Sequence, residues 1–387
     1  MKGPRSAGRS AIGEGMKAYR RIVARNRAIA AHLARMEPRL RRKANVVGYA
    51  VGLKKTPGGV SERPAAIFYV SRKVAPGKLG SKDRLPHWIV VKGARIPTDV
   101  IVLRSLKALG NNADNIARQR PIKMGAQIEA MLPEQNTEAV DGGWGTAGAI
   151  VKTKKPVAEF LLSCAHVLVK QYDDLIQPSK GEGQGNSTKQ DRQKKPKPDF
   201  KDTVGGVVKL AGGGVDAGYA EAGACVKDII GIAPYASPQD PVPGLPVMKS
   251  GAASGVTVGT IDSDDAKVFE RLLNVLSNKH PEIFTGQTWP SLKGLFLIKP
   301  ATFAESGDSG SLVVVGPEDA LAKWIESNPE IKKLNLKQRA KDAMKKELLY
   351  SAVGLLCYSG LAGSIKYQGF MGQRIQVALD ALDVELA

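Results

Sequence analysis

The string ESGDSGSLVVV at 305–315 sets a serine between two glycines, after Gly-Asp and ahead of a β-forming run. Ser309 in that setting suggests a nucleophile presented on a tight turn. Gly307 frees the chain to aim backbone N–H groups at one point, and the amides of Gly307 and Ser309 could then hold a developing oxyanion. A Gly-rich hairpin turn is the plainer alternative for the same residues. A serine hydroxyl needs a base near neutral pH, and imidazole is the usual one. Four histidines are available: His32 in a basic stretch, His87 after Pro86, His280 before Pro281, and His166 in LLSCAHVLV. His166 follows an apolar run, a context that more often marks a satisfied core histidine than a base. The remaining requirement is a carboxylate that fixes the imidazole tautomer. Asp216 in GGGVDAGYAEA is flanked by apolar and small residues. On a strand it would be buried, and a buried aspartate needs a charged partner such as His166. Each residue is weak evidence alone, and the set points to acyl transfer.

The elements that must position these residues are short and β-forming. From Gly143 onward, apolar runs recur between Gly-rich turns: TAGAIV (146–151), EFLLSCAHVLV (159–169), TVGGVVKL (203–210), VDAGYAEA (215–222), VTVGTI (256–261), LFLIKP (295–300), SLVVVG (311–316) and SAVGLLCYSG (351–360). Such a succession over about 245 residues suggests a barrel or sandwich. Two stretches interrupt it. Residues 179–202 are polar and basic and read as an exposed loop. Residues 318–349 are charged and helix-forming and read as an inserted helical pair. Upstream, NVVGYAVGLKK (45–55), AAIFYVSRKV (65–74), WIVVKG (88–93) and PTDVIVL (97–103) read as strands of a small α/β unit, and 106–142 as a connector.

The chain has 387 residues, beyond the ~250–300 at which single cores stop growing. With 43% hydrophobic and 24% charged residues it is not a disordered chain. No apolar run approaches the ~18–20 residues of a membrane span, and the basic first thirty residues lack a secretory core, so a cytoplasmic protein is expected. Cys164, Cys225 and Cys357 are too scattered for a disulfide framework or a zinc site. No cofactor or metal is called for. The net charge of +20 is concentrated: residues 1–45 hold thirteen Lys/Arg against Glu14 and Glu37, a net of +11. Ile12, Met16, Tyr19, Val23, Asn26, Ala30 and Leu33 follow a heptad seam until Pro38, where the helix is expected to end. A seam asparagine can fix register or oligomer state, so the helix reads as an assembly element, packed on its own domain or on a sister subunit. An acidic partner or nucleic acid on the basic face is the alternative.

The order His, Asp, Ser and the contexts SCAHV, VDAGYA and GDSGS resemble trypsin-like serine proteases with the chymotrypsin double β-barrel, over about 143–387. The segment IQVALDALDVELA looks like the carboxy-terminal helix that closes that fold. NVVGYAVGLKK, RLP…PTDVIVL, TAGAIV…LLSCAHVL, MKSGAASGVTVGTI and AVGLLCYSG carry the resemblance back to about residue 45. There it is to the trypsin-like family that includes the plant narrow-leaf regulator and its bacterial relatives. The resemblance implies a mainly β, cytoplasmic, homo-oligomeric serine endopeptidase acting on protein or peptide. Its expected layout is a basic helix (1–44), an α/β domain with connector (45–142) and a protease domain (143–387). That last domain would comprise barrel one (about 143–232), barrel two (about 240–387) and the insertion (318–349).

By the same resemblance, His166 is general base then acid, Asp216 its orienting partner and Ser309 the nucleophile. The amides of Gly307 and Ser309 form the oxyanion hole, and Asp308 supports the turn. The substrate pocket takes Phe303 as its floor, with Leu356, Cys357, Tyr358, Ser359 and Gly360 as a wall where an extended strand pairs with the substrate backbone. No acid stands at the floor, which implies small or apolar residues before the cut. Two departures matter. Cys164 has no evident disulfide partner. About 140 residues precede the first barrel strand, so Asp308 must find a partner other than a freed amino terminus, or await a cleavage. The competing readings are a catalytically silent scaffold on the same fold, or a basic nucleic-acid binder.

Overall fold

The computed structural model describes residues 4–56, 59–103, 105–108, 115, 117–131, 144–168, 174–177, 202–269, 291–300, 302–305, 307–361 and 368–387. His280 and all but Asp202 of the polar stretch 179–202 lie outside them.

The amino-terminal unit is α/β. Helix α1 (Pro4–Arg41) lies along strands β1 (Val46–Thr56), β2 (Gly59–Val70), β3 (Trp88–Val91) and β4 (Ala94–Val102). β2 and β4 run parallel, whereas β1–β2 and β3–β4 are antiparallel. The helix does not stop before Pro38, which lies inside its last turn. That turn is anchored from both sides: Leu40 is buried, and Glu37 accepts from Arg41 Nε (2.9 Å), Lys267 Nζ (2.8 Å) and the Tyr49 hydroxyl (3.0 Å). The buried stripe is Met16, Tyr19, Ile22, Asn26, Ile29, Leu33 and Leu40, with Val23 and Ala30 only half-buried. A stripe wider than a heptad seam is what a helix laid on its own globule needs. Met16, Tyr19 and Ile22 pack with Trp324, Met344 and Leu348, whereas Ile29, Leu33 and Leu40 pack with Tyr49, Phe68 and Ile96.

Next come β5 (Ser105–Ala108), β6 (Ile122–Met124) and β7 (Gln127–Met131), so the stretch read as connector contributes strands. The first barrel is a curled eight-stranded sheet. Its order is β22 (Val384–Leu386), β9 (Ala149–Thr153), β10 (Glu159–Ser163), β13 (Gly218–Ala220), β12 (Thr203–Leu210), β11 (Asp174–Ile176), β7, β8 (Trp144–Thr146). β8 and β9 stand near opposite ends of that order, yet only Ala147 and Gly148 separate them. The sheet must therefore curl, carrying β8 back toward β9. A small parallel pair, β6 with β14 (Cys225–Ile229), flanks it.

The second barrel closes. β16 (Pro246–Gly251), β17 (Gly255–Phe269), β18 (Ser291–Lys299), β21 (Gln368–Arg374), β20 (Ser351–Leu361) and β19 (Leu312–Val315) pair in a ring, and β19 returns to β16. β17 does two jobs along its length. Its first half pairs with β16 and seals the ring, and its second half pairs with β1 and so attaches the amino-terminal unit. β15 (Ala236–Pro238) and β5 add to β20. The inserted helices α3 (Glu318–Ser327), α4 (Pro329–Lys332) and α5 (Gln338–Leu348) connect β19 to β20, one short helix more than the expected pair. After β21, α6 (Ile375–Leu382) leads to β22, which returns the chain to the first barrel. The fold is mainly β, a chymotrypsin-like double barrel behind an amino-terminal α/β unit.

Candidate active site

His166 sits on α2 (Ala165–Leu168), a single helical turn opened at the end of β10 by Val167 and Leu168 amides donating to the Cys164 carbonyl. Asp216 lies just before β13, the strand paired to β10, so sheet pairing brings the two together. His166 Nδ1 is 2.6 Å from Asp216 Oδ2, and the His166 amide donates to Oδ1 at 3.1 Å. The carboxylate is fully buried. Burial pushes its pKa up, but the His166 charge, the hydrogen bonds from His166 and one from Tyr358 outweigh that and hold it below the ordinary aspartate value. An ionised carboxylate only accepts, so Nδ1 must carry a proton toward Asp216. Nε2 is buried and has no partner among the described residues.

Ser309 is also fully buried. Its Oγ donates to the Cys357 carbonyl at 3.2 Å, and no hydrogen bond joins it to His166. The structure thus unites His166 with Asp216 but leaves Ser309 turned to β20. That strand touches both: the ring of Tyr358, next to Cys357, stacks on the His166 imidazole with centroids 5.5 Å apart.

The turn carrying Ser309 is stitched to β8. The Thr146 hydroxyl donates to the Gly307 carbonyl at 2.8 Å, and the Thr146 amide donates to the Ser309 carbonyl at 2.8 Å. Gly307 has φ +105° and Gly310 φ +91°, conformations open to glycine and hostile to side chains. Both also lack room, since a Cβ on Gly307 would strike the Trp144 ring and one on Gly310 the Ser163 hydroxyl. With the two carbonyls held by Thr146, the Gly307 and Ser309 amides donate to nothing among the described residues.

Asp308 answers the question its neighbours raised. Its carboxylate accepts from Lys249 Nζ (2.5 Å), Ser254 Oγ (2.6 Å) and the amides of Ala253 (2.9 Å), Ser254 (3.0 Å) and Glu305 (2.9 Å). Lys249 and Asp308 are both 0% exposed. Burial pulls the Lys249 ammonium below the ordinary lysine value, while Asp308 pulls it back. The partner of Asp308 is therefore an internal lysine. Sequence reasoning missed Lys249, whose only signal was a charge inside an otherwise apolar and small strand, PVMKSG.

The other expected site residues divide. Phe303 is fully buried in the second-barrel core, its ring centroid 6.5 Å from that of Phe370. Cys357 and Tyr358 are buried on β20, and the backbone of Ser359 and Gly360 continues that strand. Cys164 does have a neighbour, because its Sγ lies 3.2 Å from Cys357 Sγ. Chain distance misled here. Cys164, Cys357 and Asp216 place ligand atoms within 4.8 Å of one another, the arrangement among the described residues that could hold a metal. Asp216 is already engaged by His166, however, and burial pushes both thiols up, away from the thiolates a metal needs.

No family model and no curated protein matches this sequence. Solved structures are similar to it. A glutamic acid-specific serine protease that uses a histidine triad in substrate binding is 15% identical, with 69% of this chain and 100% of that one covered and a TM-score of 0.39. Thermobifida fusca Protease A is 14% identical, with 69% and 98% covered and a TM-score of 0.38. A Cellulomonas bogoriensis chymotrypsin is 15% identical, with 62% and 90% covered and a TM-score of 0.34. The double-barrel assignment stands on strand order and register.

Proposed function

We propose that this chain is a serine endopeptidase. The observation that carries the reading is the buried His166–Asp216 pair, which fixes the imidazole and leaves Nε2 without a partner, while neighbouring residues of β20 touch His166 and Ser309. In this reading Ser309 Oγ must leave the Cys357 carbonyl and turn to Nε2. It attacks the peptide carbonyl carbon as Nε2 takes its proton, and Asp216 stabilises the imidazolium. The amides of Gly307 and Ser309 receive the oxyanion, held in place by Thr146 and by Asp308 on Lys249. Nε2 returns the proton to the leaving amine, and water, activated the same way, releases the acyl group. A small or apolar residue before the cut is the expected preference, because Phe303 rather than an acid stands at the expected pocket floor.

Cytoplasmic residence, homo-oligomerisation and an acidic partner on the exposed basic face of α1 belong to the same proposal. No helix among the described residues is long and apolar enough to cross a membrane. The test is a peptide-library digest and fluorophosphonate labelling of wild type and Ser309→Ala. Cleavage and labelling in wild type, lowered about 10⁶-fold by the substitution, are expected. Unlabelled Ser309 with no cleavage would sink the proposal.

A further inference from the structure

β20 has two edges. β21 lines one along Gly354–Leu361. The other is shared: β19 pairs with Ala352–Leu355, and beyond it β5 pairs with Tyr358–Leu361. That second stretch begins directly after Cys357, whose carbonyl holds Ser309 Oγ, and starts at Tyr358, which stacks on His166. That edge adjoins residues that touch both Ser309 and His166, so an extended peptide adding to it as a strand would run beside them.

That edge is taken. Ser105–Ala108 pairs antiparallel with it in unbroken register, Ser105 against Leu361, Leu106 against Gly360, Lys107 against Ser359 and Ala108 against Tyr358. The chain is pinned again at Asn115, whose amide donates to the Ala252 carbonyl and whose side chain donates to the carbonyls of Gly125 and Gly251. The Ala252 amide in turn donates to Thr146 Oγ1, the hydroxyl that holds Gly307. Both anchors of this connector therefore border the candidate site: one pairs with the residue stacked on the imidazole, and the other is two hydrogen bonds from the residue fixing the oxyanion turn.

Resting on the endopeptidase reading, we propose that Ser105–Ala108 is an internal occupant of the substrate-strand site and inhibits the enzyme in cis. An incoming peptide competes for the same backbone groups and binds only when β5 has left, so its apparent affinity falls by the fraction of time the edge is free. Substrates that need no strand pairing escape this competition.

Of two neighbouring strand residues, one turns its N–H toward β20 and the other away. Leu106→Pro and Lys107→Pro are thus a matched pair, one breaking the ladder and one leaving it whole. In a Ser309→Ala background, a fluorescein-tagged peptide copying residues 103–110 is titrated and anisotropy read. The ladder-breaking proline should bind it about tenfold tighter than Ser309→Ala alone, if β5 is displaced roughly one-tenth of the time, and the other proline should match that parent. With Ser309 restored, the same proline should lower KM for a tetrapeptide amide by a similar factor. It should leave turnover of a single-residue ester and fluorophosphonate labelling unchanged. Equal peptide affinity in all three proteins, each shown folded by its thermal transition, would overturn the inference. Absence of labelling and ester turnover in every Ser309 protein would instead count against the endopeptidase reading, because the anisotropy result needs no catalysis.

Discussion

Two aspartates are wholly buried beside the candidate site, and they are satisfied in opposite ways. Asp308 collects five donors, three from the backbone and one from a buried ammonium. Asp216 is bound chiefly by one residue, His166, through its ring and its amide. The first pattern immobilises: every lone pair is used and nothing is left to react. The second orients: the carboxylate fixes one imidazole nitrogen and leaves the other without a partner among the described residues. A buried charge saturated by fixed donors is scaffolding, whereas one bound chiefly by a single imidazole orients that ring.

Substitutions should separate the two. The largest effect is expected from Asp216→Asn, which fixes the wrong imidazole tautomer and should lower kcat about 10⁴-fold with the fold intact. Steady-state kinetics beside a thermal melt will show whether activity falls without stability. Lys249→Met should act first on stability, leaving the Asp308 charge buried and uncompensated at a cost of about 3–5 kcal/mol. Denaturant unfolding measures the loss, and adding Asp308→Asn should recover part of it if the uncompensated charge is the cause.

Acid sharpens the contrast further. The Asp216 pKa is held below its unfolded value, so its stabilisation is complete above about pH 4. It is lost as pH falls from there through the native value. Asp216→Asn should flatten that part of the plot of Tm against pH. The smallest change is reserved for an exposed pair: Arg27→Ala removes a contact to Asp240 from a side chain 60% exposed and should move stability by less than about 1 kcal/mol.

Much of this was legible from residue types. TVGGVVKL spans the same residues as β12, and SLVVVG contains β19, because β-branched runs between glycines leave few alternatives. The contexts of His166, Asp216 and Ser309 single out three residues, of which the structure joins the first two. What escaped notice depends on partners far away in the chain. Lys249 looks like a surface lysine until Asp308, 59 residues on, is folded against it. Cys164 meets Cys357 across 193 residues. SLKA carries no strong strand signal, and β5 exists because β20 offers it unpaired backbone groups. Pro38 was read as a stop because local propensity was weighed without the anchoring of Glu37 and Leu40.

The return of Val384–Leu386 to pair with Ala149–Thr153 bears on how the molecule is made. A nascent chain that has emerged from the ribosome only as far as Ala220 holds His166 and Asp216 but lacks the border strand of their sheet. Segments synthesised more than 150 residues apart must be joined before that sheet is complete, and such distant pairing is slow. Completion of that sheet therefore waits until translation has passed Leu386.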